Sequence, residues 1–275
     1  MNEEDILKDI AIESAKEVAK DVYEDAIQPT TKNIGGFFGT LSGFFNHVVM
    51  YPLKKLNIKY EQKAIAFERE MEQKYNNIPE QDRAEPELHI VGPTLESLKY
   101  NILDDDLAEL FANLLISDMD TKTQNLCCPA FVKVIEQLSP NDAKVFKSLC
   151  SVCTKNSALP ICEIEIVDEN NAKRRVQTEL TPKYVTDNSP FSVDWHIISK
   201  SIQTLERLGL VELNFLKWFG NETMYEKLKS QKNIAFALQI IDFATGTKHA
   251  VNISSKGIML LTDFGVDFAK VCMRN

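Results

Sequence analysis

The sequence lacks the short motifs of the common enzyme classes. It contains no glycine-rich loop ending in Gly-Lys-Ser/Thr, no Gly-x-Gly-x-x-Gly and no Gly-x-Ser-x-Gly. Histidine is rare, and the four that occur are scattered, with none in a His-x-x-x-His pair: His47, His89, His196 and His249. We therefore predict a protein that is not an enzyme and needs no cofactor.

Cysteine is also sparse, with six in 275 residues and no dense framework, which predicts reduced thiols in a cytosolic protein. Cys150 and Cys153 form a C-x-x-C pair that zinc could use together with Cys162. The pair lies on a predicted helix with an apolar face, however, so small buried thiols are the favoured interpretation. The opening residues lack a basic region, and no signal peptide is expected.

Two acidic runs are candidates for metal ligands. Asp104, Asp105 and Asp106 are better explained as a helix start, because carboxylates suit the positive end of the helix dipole. Asp118 and Asp120 follow a helix end and predict a solvated turn rather than a carboxylate pair. No metal site is predicted.

Basic side chains are scarce in the first half of the chain. Residues before Ser139 include 25 acidic and 14 basic side chains, whereas the rest of the chain includes 15 acidic and 17 basic ones. The net charge of the whole chain is -9. The length allows two domains with separate cores. We predict a helical N-terminal domain over residues 1–138 and a second domain over residues 139–275, with different partners.

Apolar residues at helical spacing predict four helices in the first domain, with a proline-containing loop at 78–93. The predicted helices cover residues 3–27, 54–78, 94–119 and 129–138. Ser139 followed by Pro140 predicts another helix start, since Ser is a good N-cap and Pro suits the first helical position.

The segment over residues 34–53 carries no charge when His47 is neutral. A helix of that length rises about 30 Å, the thickness of a bilayer core. Glycines spaced four apart lie on one helical face and let two helices approach closely. The residues predicted to form this membrane and oligomer segment are Gly35, Phe37, Phe38, Gly39, Gly43, Phe44, Phe45 and His47.

A buried core helix has the same composition, and each glycine costs a helix in water about 1 kcal/mol relative to alanine. Both interpretations stay open. A third interpretation combines the two: the segment is buried in a resting oligomer and released on activation. The protein is then expected to be cytoplasmic at rest and to reach the inner membrane when activated.

The second domain mixes strand and helix patterns. "ICEIEIVD" alternates like a half-buried strand, "DWHIISKSIQTLERLGLVEL" predicts a helix that ends at Gly209 before a strand, and "GIMLLTDFGVDFAKVC" predicts a strand and a closing helix. This order is typical of a winged helix-turn-helix with insertions. The predicted fold class is mainly α, with an α+β winged-helix-like domain at the C-terminal end.

The helix predicted from Asp194 to Leu208 has an apolar side and a polar side. The polar side carries His196, Lys200, Gln203 and Arg207, which can donate to phosphates or base edges, and Lys173, Arg174 and Arg175 could form a basic wing. The alternatives are a solvated face with a solvated turn, or a surface for another protein. The near-neutral charge of this domain is far from a duplex-binding footprint.

Three motifs resemble the abortive infection alpha family of bacterial phage-defence proteins. They are "LAELFANLLISDMD", "CPAFVKVIEQLSPNDAKVFKSL" and "LTDFGVDFAKVC", and the resemblance extends from about Gly36 onward. In that family His commonly precedes the Pro of the second motif, whereas this chain has Cys128, so a role for that imidazole does not carry over. The resemblance implies growth arrest or death of the infected cell and brings no catalytic site.

Some relatives look like the membrane-acting half of a two-gene system with a nucleotidyltransferase partner. The leading hypothesis is a phage-defence effector that forms homo-oligomers and disrupts the inner membrane. Its activity would be controlled by short DNA, another nucleic-acid ligand or a partner protein that binds the C-terminal domain. The alternatives are a soluble nucleic-acid-binding defence or regulatory protein and a protein–protein adaptor.

Overall fold

A computed structural model of the protein describes residues 36–55, 58–152, 157–168, 175–182, 195–229 and 232–274. Several predicted features lie outside these ranges: the helix at 3–27, Gly35, Cys153, Lys173 and Arg174. Of Phe37, Arg175 and His196, only the backbone is described. The chain divides into two compact units, Met1–Glu136 (unit 1) and Gln137–Asn275 (unit 2).

Unit 1 is helical in its described part. Its helices are α1 Gly36–Phe45, α2 Tyr51–Lys54, α3 Ile58–Asn76, α4 Leu88–Asn101, α5 Asp105–Asp118 and α6 Pro129–Gln137, whose last residue crosses into unit 2. A π-helical turn over Asn46–Met50 joins α1 to α2. Pro52 lies just after that turn, and the wider turn accommodates a residue that has no N–H to donate and whose ring crowds the preceding turn.

The core of unit 1 is built around α5, which contacts both α3 and α4. Leu110, Phe111 and Leu114 on α5 are each at most 3% exposed. The helix begins where the acidic run predicts, because Asp104 is its N-cap and accepts a hydrogen bond from the Leu107 amide at 3.0 Å.

The predicted loop at 78–93 is wrong over its last six residues, because α4 already begins at Leu88. Ile90 and Val91 are buried and belong to the apolar side of this helix. Pro93 lies inside the helix, and the Thr94 hydroxyl donates to the Ile90 carbonyl at 2.6 Å. Burial of the apolar side therefore outweighs the helix-breaking tendency of Pro93.

Unit 2 combines helices with one antiparallel sheet. Its elements are α7 Pro140–Cys150, β1 Leu159–Asp168, β2 Arg175–Pro182, α8 Trp195–Arg207, β3 Val211–Asn214, α9 Glu222–Lys229, α10 Lys232–Thr245, β4 His249–Leu261 and α11 Asp263–Cys272. The described strands lie in the order β2-β1-β4-β3. The fold is therefore mainly α with an α+β second unit, as predicted.

Two local signals in unit 2 act as the sequence predicts. Ser139 and Asp142 form a capping box at the start of α7, in which each residue bonds the backbone amide of the other. The C-terminal end of helix α8 is closed by Gly209, which has a φ of 74°. The next amide, of Leu210, donates to the Leu205 carbonyl at 2.9 Å, the Schellman arrangement that closes a helix end.

Strands β3 and β4 are paired from Val211 opposite Leu261 to Asn214 opposite Ile258. A helix followed by an antiparallel strand pair is the order predicted for a winged helix, but here α9 and α10 are inserted between the two strands. These helices cover one side of the sheet. The cluster at this contact contains Cys162, Ile164, Ile166, Tyr225, Leu228 and Ile234.

Candidate functional site

Helix α8 is amphipathic, as its sequence predicts. Ile198, Ile202 and Leu205 are each at most 1% exposed, and the helix contacts α7, β2 and β3. Lys200 and Gln203 are exposed. The three- and four-residue spacing of the buried side chains leaves the polar ones on the other side of the helix.

Arg207 is exposed at the end of the same helix. Its Nη1 donates to the Gln137 side-chain oxygen at 2.8 Å, which holds the guanidinium near the start of unit 2. Lys200 and Arg207 are seven residues apart, so they are about 10 Å apart along the helix axis. His196 belongs to α8, and its side chain lies outside the description.

The predicted basic wing is described only at its edge. Arg175 is the first residue of β2 and is paired opposite Val167 of β1. Helix α8 contacts β2, and β2 is paired with β1, so these three elements pack together. Whether the wing takes part in binding stays a prediction.

The apolar segment packs one side into the core of unit 1. Its buried side chains, each at most 3% exposed, are Phe38, Leu41, Phe45, Val49 and Leu53. The Phe38 ring stacks on Tyr75 with centroids 5.2 Å apart, and the Phe45 ring stacks on Phe67 at 5.6 Å. Phe38 and Phe45 are therefore core residues in this structure.

The other side of the segment is less covered. Gly39 and His47 are exposed, whereas Gly43 and Phe44 are half-buried. Within the predicted 20-residue span, the described residues form two α-helices joined by the π-helical turn, which changes the direction in which side chains project. Among the helices that the structure describes, none combines the length and the apolar character needed to cross a bilayer.

The Asp118 side chain is buried at the end of α5, so the predicted solvated turn is wrong. Asp118 is 0% exposed and Asp120 is 3% exposed. One Asp118 oxygen, Oδ2, accepts the Glu87 amide at 2.8 Å. The other, Oδ1, finds no hydrogen-bond partner within the described part of the chain. Burial raises the pKa of Asp118 to about 6, although the Glu87 amide opposes that shift.

We expect Asp118 to make unit 1 less stable as pH rises. The carboxyl binds its proton more tightly in the folded state than in the unfolded one, so ionisation favours unfolding. The full effect is about 3 kcal/mol, of which about 1.4 kcal/mol falls between pH 5 and pH 7.5. Urea unfolding at these two pH values measures it.

Asp118→Asn should remove this part of the pH dependence, because the amide does not titrate. The matched control is Glu72→Gln, which neutralises an exposed acid on α3 and should leave the pH dependence unchanged. An Asp118→Asn protein with the same loss of stability between pH 5 and pH 7.5 would contradict the assignment.

Two of the three cysteines considered as zinc ligands, Cys150 and Cys162, lie within the described residues. Cys150 is half-buried at the end of α7, and Cys162 is fully buried on β1. Burial raises the pKa of Cys162 to about 12, which keeps this thiol protonated and unreactive. Within the described ranges, no three His, Cys, Asp or Glu side chains are grouped to hold a metal ion.

Two features escaped the sequence interpretation although a signal existed for each. Asp118 lies seven residues after Phe111 and four after Leu114, which places it on a buried side of α5. Helix α10 carries Phe236, Ile240 and Phe243 on one side and Ile234 and Ile241 on another. Apolar residues around most of a helix predict burial on more than one side.

The comparison with protein-family models agrees with the motif resemblance. A family model described as abortive infection alpha matches residues 59–272. No curated protein matches the chain. An uncharacterised protein from the marine bacterium Alcanivorax borkumensis is similar at 12% identity over 56% of this chain and 96% of its own, with a TM-score of 0.29.

Proposed function

The chain belongs to the abortive infection alpha family, and from that premise we propose that it is a non-enzymatic effector of abortive-infection defence against phage, controlled by a nucleic-acid ligand. The ligand would bind the polar face of α8. The observation that supports this most directly is the exposure of Lys200, Gln203 and Arg207 on a helix whose opposite side is buried.

The chemistry of this face suits a phosphate backbone. Lys200 supplies a point charge, Arg207 a planar group with several donors, and Gln203 an amide that can donate to a phosphate or a base edge. Because unit 2 has little net positive charge, we propose a short oligonucleotide rather than a long duplex as the ligand.

We expect Lys200→Glu to weaken nucleic-acid binding by about 10- to 100-fold at low salt, since it removes one phosphate contact and adds repulsion. Lys200→Ala should weaken it less and reduce the slope of log affinity against log salt by about 1. Fluorescence anisotropy with labelled 12-nucleotide single-stranded and duplex DNA measures both quantities.

The matched control is Lys248→Glu, which makes the same charge change at an exposed site just before β4. It should bind nearly as tightly as the unmodified protein. Equal losses for Lys200→Glu and Lys248→Glu would indicate a general charge effect and argue against a site on α8. Unmodified protein that binds neither DNA would reject nucleic-acid control and favour the adaptor function.

Membrane disruption by a homo-oligomer is a second candidate function. The segment Gly36–Leu53 is uncharged apart from His47, and its Gly39 side is exposed, which supports close helix contact once the segment is free. Release would uncover five core side chains at a cost on the order of 10 kcal/mol. A ligand or a partner such as a nucleotidyltransferase must supply that energy by binding the released state more tightly.

If this second function operates, Gly39→Leu should abolish killing of infected cells while the protein stays folded, because position 39 is exposed in unit 1. The control is Gly92→Leu, since no described atom lies within 4 Å of a Cβ added there. Survival of infected cultures and membrane potential measure the effect. Retained killing and depolarisation by Gly39→Leu would argue against a helix contact through this side.

A further inference from the structure

Helix α10 has two apolar sides, and the sheet covers one of them. Ile234 is buried, and Leu238 and Ile241 are half-buried against the β1 cluster. On another side lie Phe236, Ile240 and Phe243, spaced four and three apart, which we call the α10 stripe. They are 49%, 53% and 92% exposed.

More exposed apolar surface lies in the same insertion between β3 and β4. Leu216 is 89% exposed and Trp218 is 59% exposed. The three side chains of the α10 stripe by themselves leave on the order of 400 Å² of apolar surface in water. An exposed apolar patch of this size is often a binding site.

The charge of α10 decides which partner fits. Its sequence "KNIAFALQIIDFAT" has no charged residue between Lys232 and Asp242. The Asp242 carboxylate is engaged by His249, accepting its backbone amide at 2.9 Å and contacting Nδ1 at 2.8 Å. An acidic or basic partner, or an anionic bilayer, would be matched by opposite charges around the contact.

A neutral apolar helix face is complementary to itself. In a twofold contact the same side chains meet from both copies, so no charge is buried. The α10 stripe supplies about half of the roughly 800 Å² per partner of a standard interface, and the side chains that flank it on α10 would supply the rest. We propose that the α10 stripe is the contact surface of a symmetric homodimer of this chain, with α10 of one copy packed on α10 of the other.

The dimer contact does not depend on the nucleic-acid site. Phe243 gains most from pairing, because it is the most exposed side chain of the α10 stripe and both copies contribute one. Phe243→Glu would place two carboxylates in the contact, and we expect the dimer dissociation constant to rise by about 100-fold or more.

The test is sedimentation equilibrium of the full chain at several concentrations. The unmodified protein should sediment as a dimer, and Phe243→Glu and Ile240→Glu as monomers. The control Tyr100→Glu changes another exposed ring, on α4 of unit 1, and should remain dimeric. Lys200→Glu should also remain dimeric, which separates this contact from the nucleic-acid site.

A monomer at every concentration would overturn the proposal, as would a dimer that survives both substitutions in the α10 stripe. If the unmodified protein is monomeric and sediments with phosphatidylglycerol vesicles, while Phe243→Glu does not, the α10 stripe binds lipid instead. Unchanged circular dichroism and urea midpoint for Phe243→Glu show that the variant is folded.

Discussion

Replacing Gly265 by alanine is expected to lower the unfolding free energy of unit 2 by about 3 kcal/mol or more. Gly265 lies in the first turn of α11, and a Cβ there would fall 1.9 Å from the Leu210 carbonyl oxygen and 2.8 Å from its carbon. These are backbone atoms, so the clash cannot be relieved by rotating a side chain.

The turn around Gly265 lies at the end of the β3–β4 pair where Val211 is opposite Leu261. Thr262 caps α11 by accepting the Gly265 amide at 2.8 Å, and its hydroxyl donates to the Gly209 carbonyl at 2.5 Å. Moving α11 away from Leu210 would therefore also strain the contacts that hold the end of α8. The loss of stability expected for Gly265→Ala includes the loss of these contacts.

Urea unfolding followed by circular dichroism measures the Gly265→Ala effect. Gly220→Ala is the control, because no described atom lies within 4 Å of a Cβ at that position, and it should change stability by less than about 0.5 kcal/mol. Similar urea midpoints for the two variants would show that α11 does not approach Leu210 as closely as described.

Phe45→Ala is expected to cost unit 1 about 3 to 5 kcal/mol. The Phe45 side chain is 3% exposed and its ring is stacked on Phe67 with planes 13° apart. Removing the ring loses its transfer free energy and leaves a cavity between α1 and α3. The same unfolding measurement applies, with near-ultraviolet circular dichroism to follow the aromatic packing.

The neighbouring residue is the matched control for Phe45. Phe44→Ala makes the same chemical change on the same helix, but the Phe44 side chain is half-buried. It should therefore lower the unfolding free energy clearly less, by about 1 kcal/mol. Equal effects of the two substitutions would contradict one-sided burial of the apolar segment. That result would revive the interpretation in which this segment resides in lipid in the resting protein.

The apolar segment shows what amino-acid composition can and cannot predict. Length, lack of charge and glycine spacing are the same for a bilayer span and for a helix in a protein core. The difference depends on Tyr75 and Phe67, which are far away in sequence and pack against Phe38 and Phe45. No local pattern contains that information, because it arises from the way α3 folds back on α1.

Local signals were dependable because their physics is local. The caps at Asp104 and Ser139, the stop at Gly209, the alternation of β1 and the amphipathic pattern of α8 each depend on residues within a turn or two. The amino-acid sequence by itself therefore determined the starts of α5, α6 and α7, the mixed character of unit 2, the candidate face on α8 and the family.

Only the tertiary structure decided which side chains those elements cover. It buried Asp118, brought Gly265 against Leu210, packed one side of the segment at 36–54 and left the α10 stripe exposed. Each of these outcomes is a sum of contacts between residues distant in the chain. Burial and close approach depend on all of these contacts together, so they follow from the packed fold and not from any single stretch of sequence.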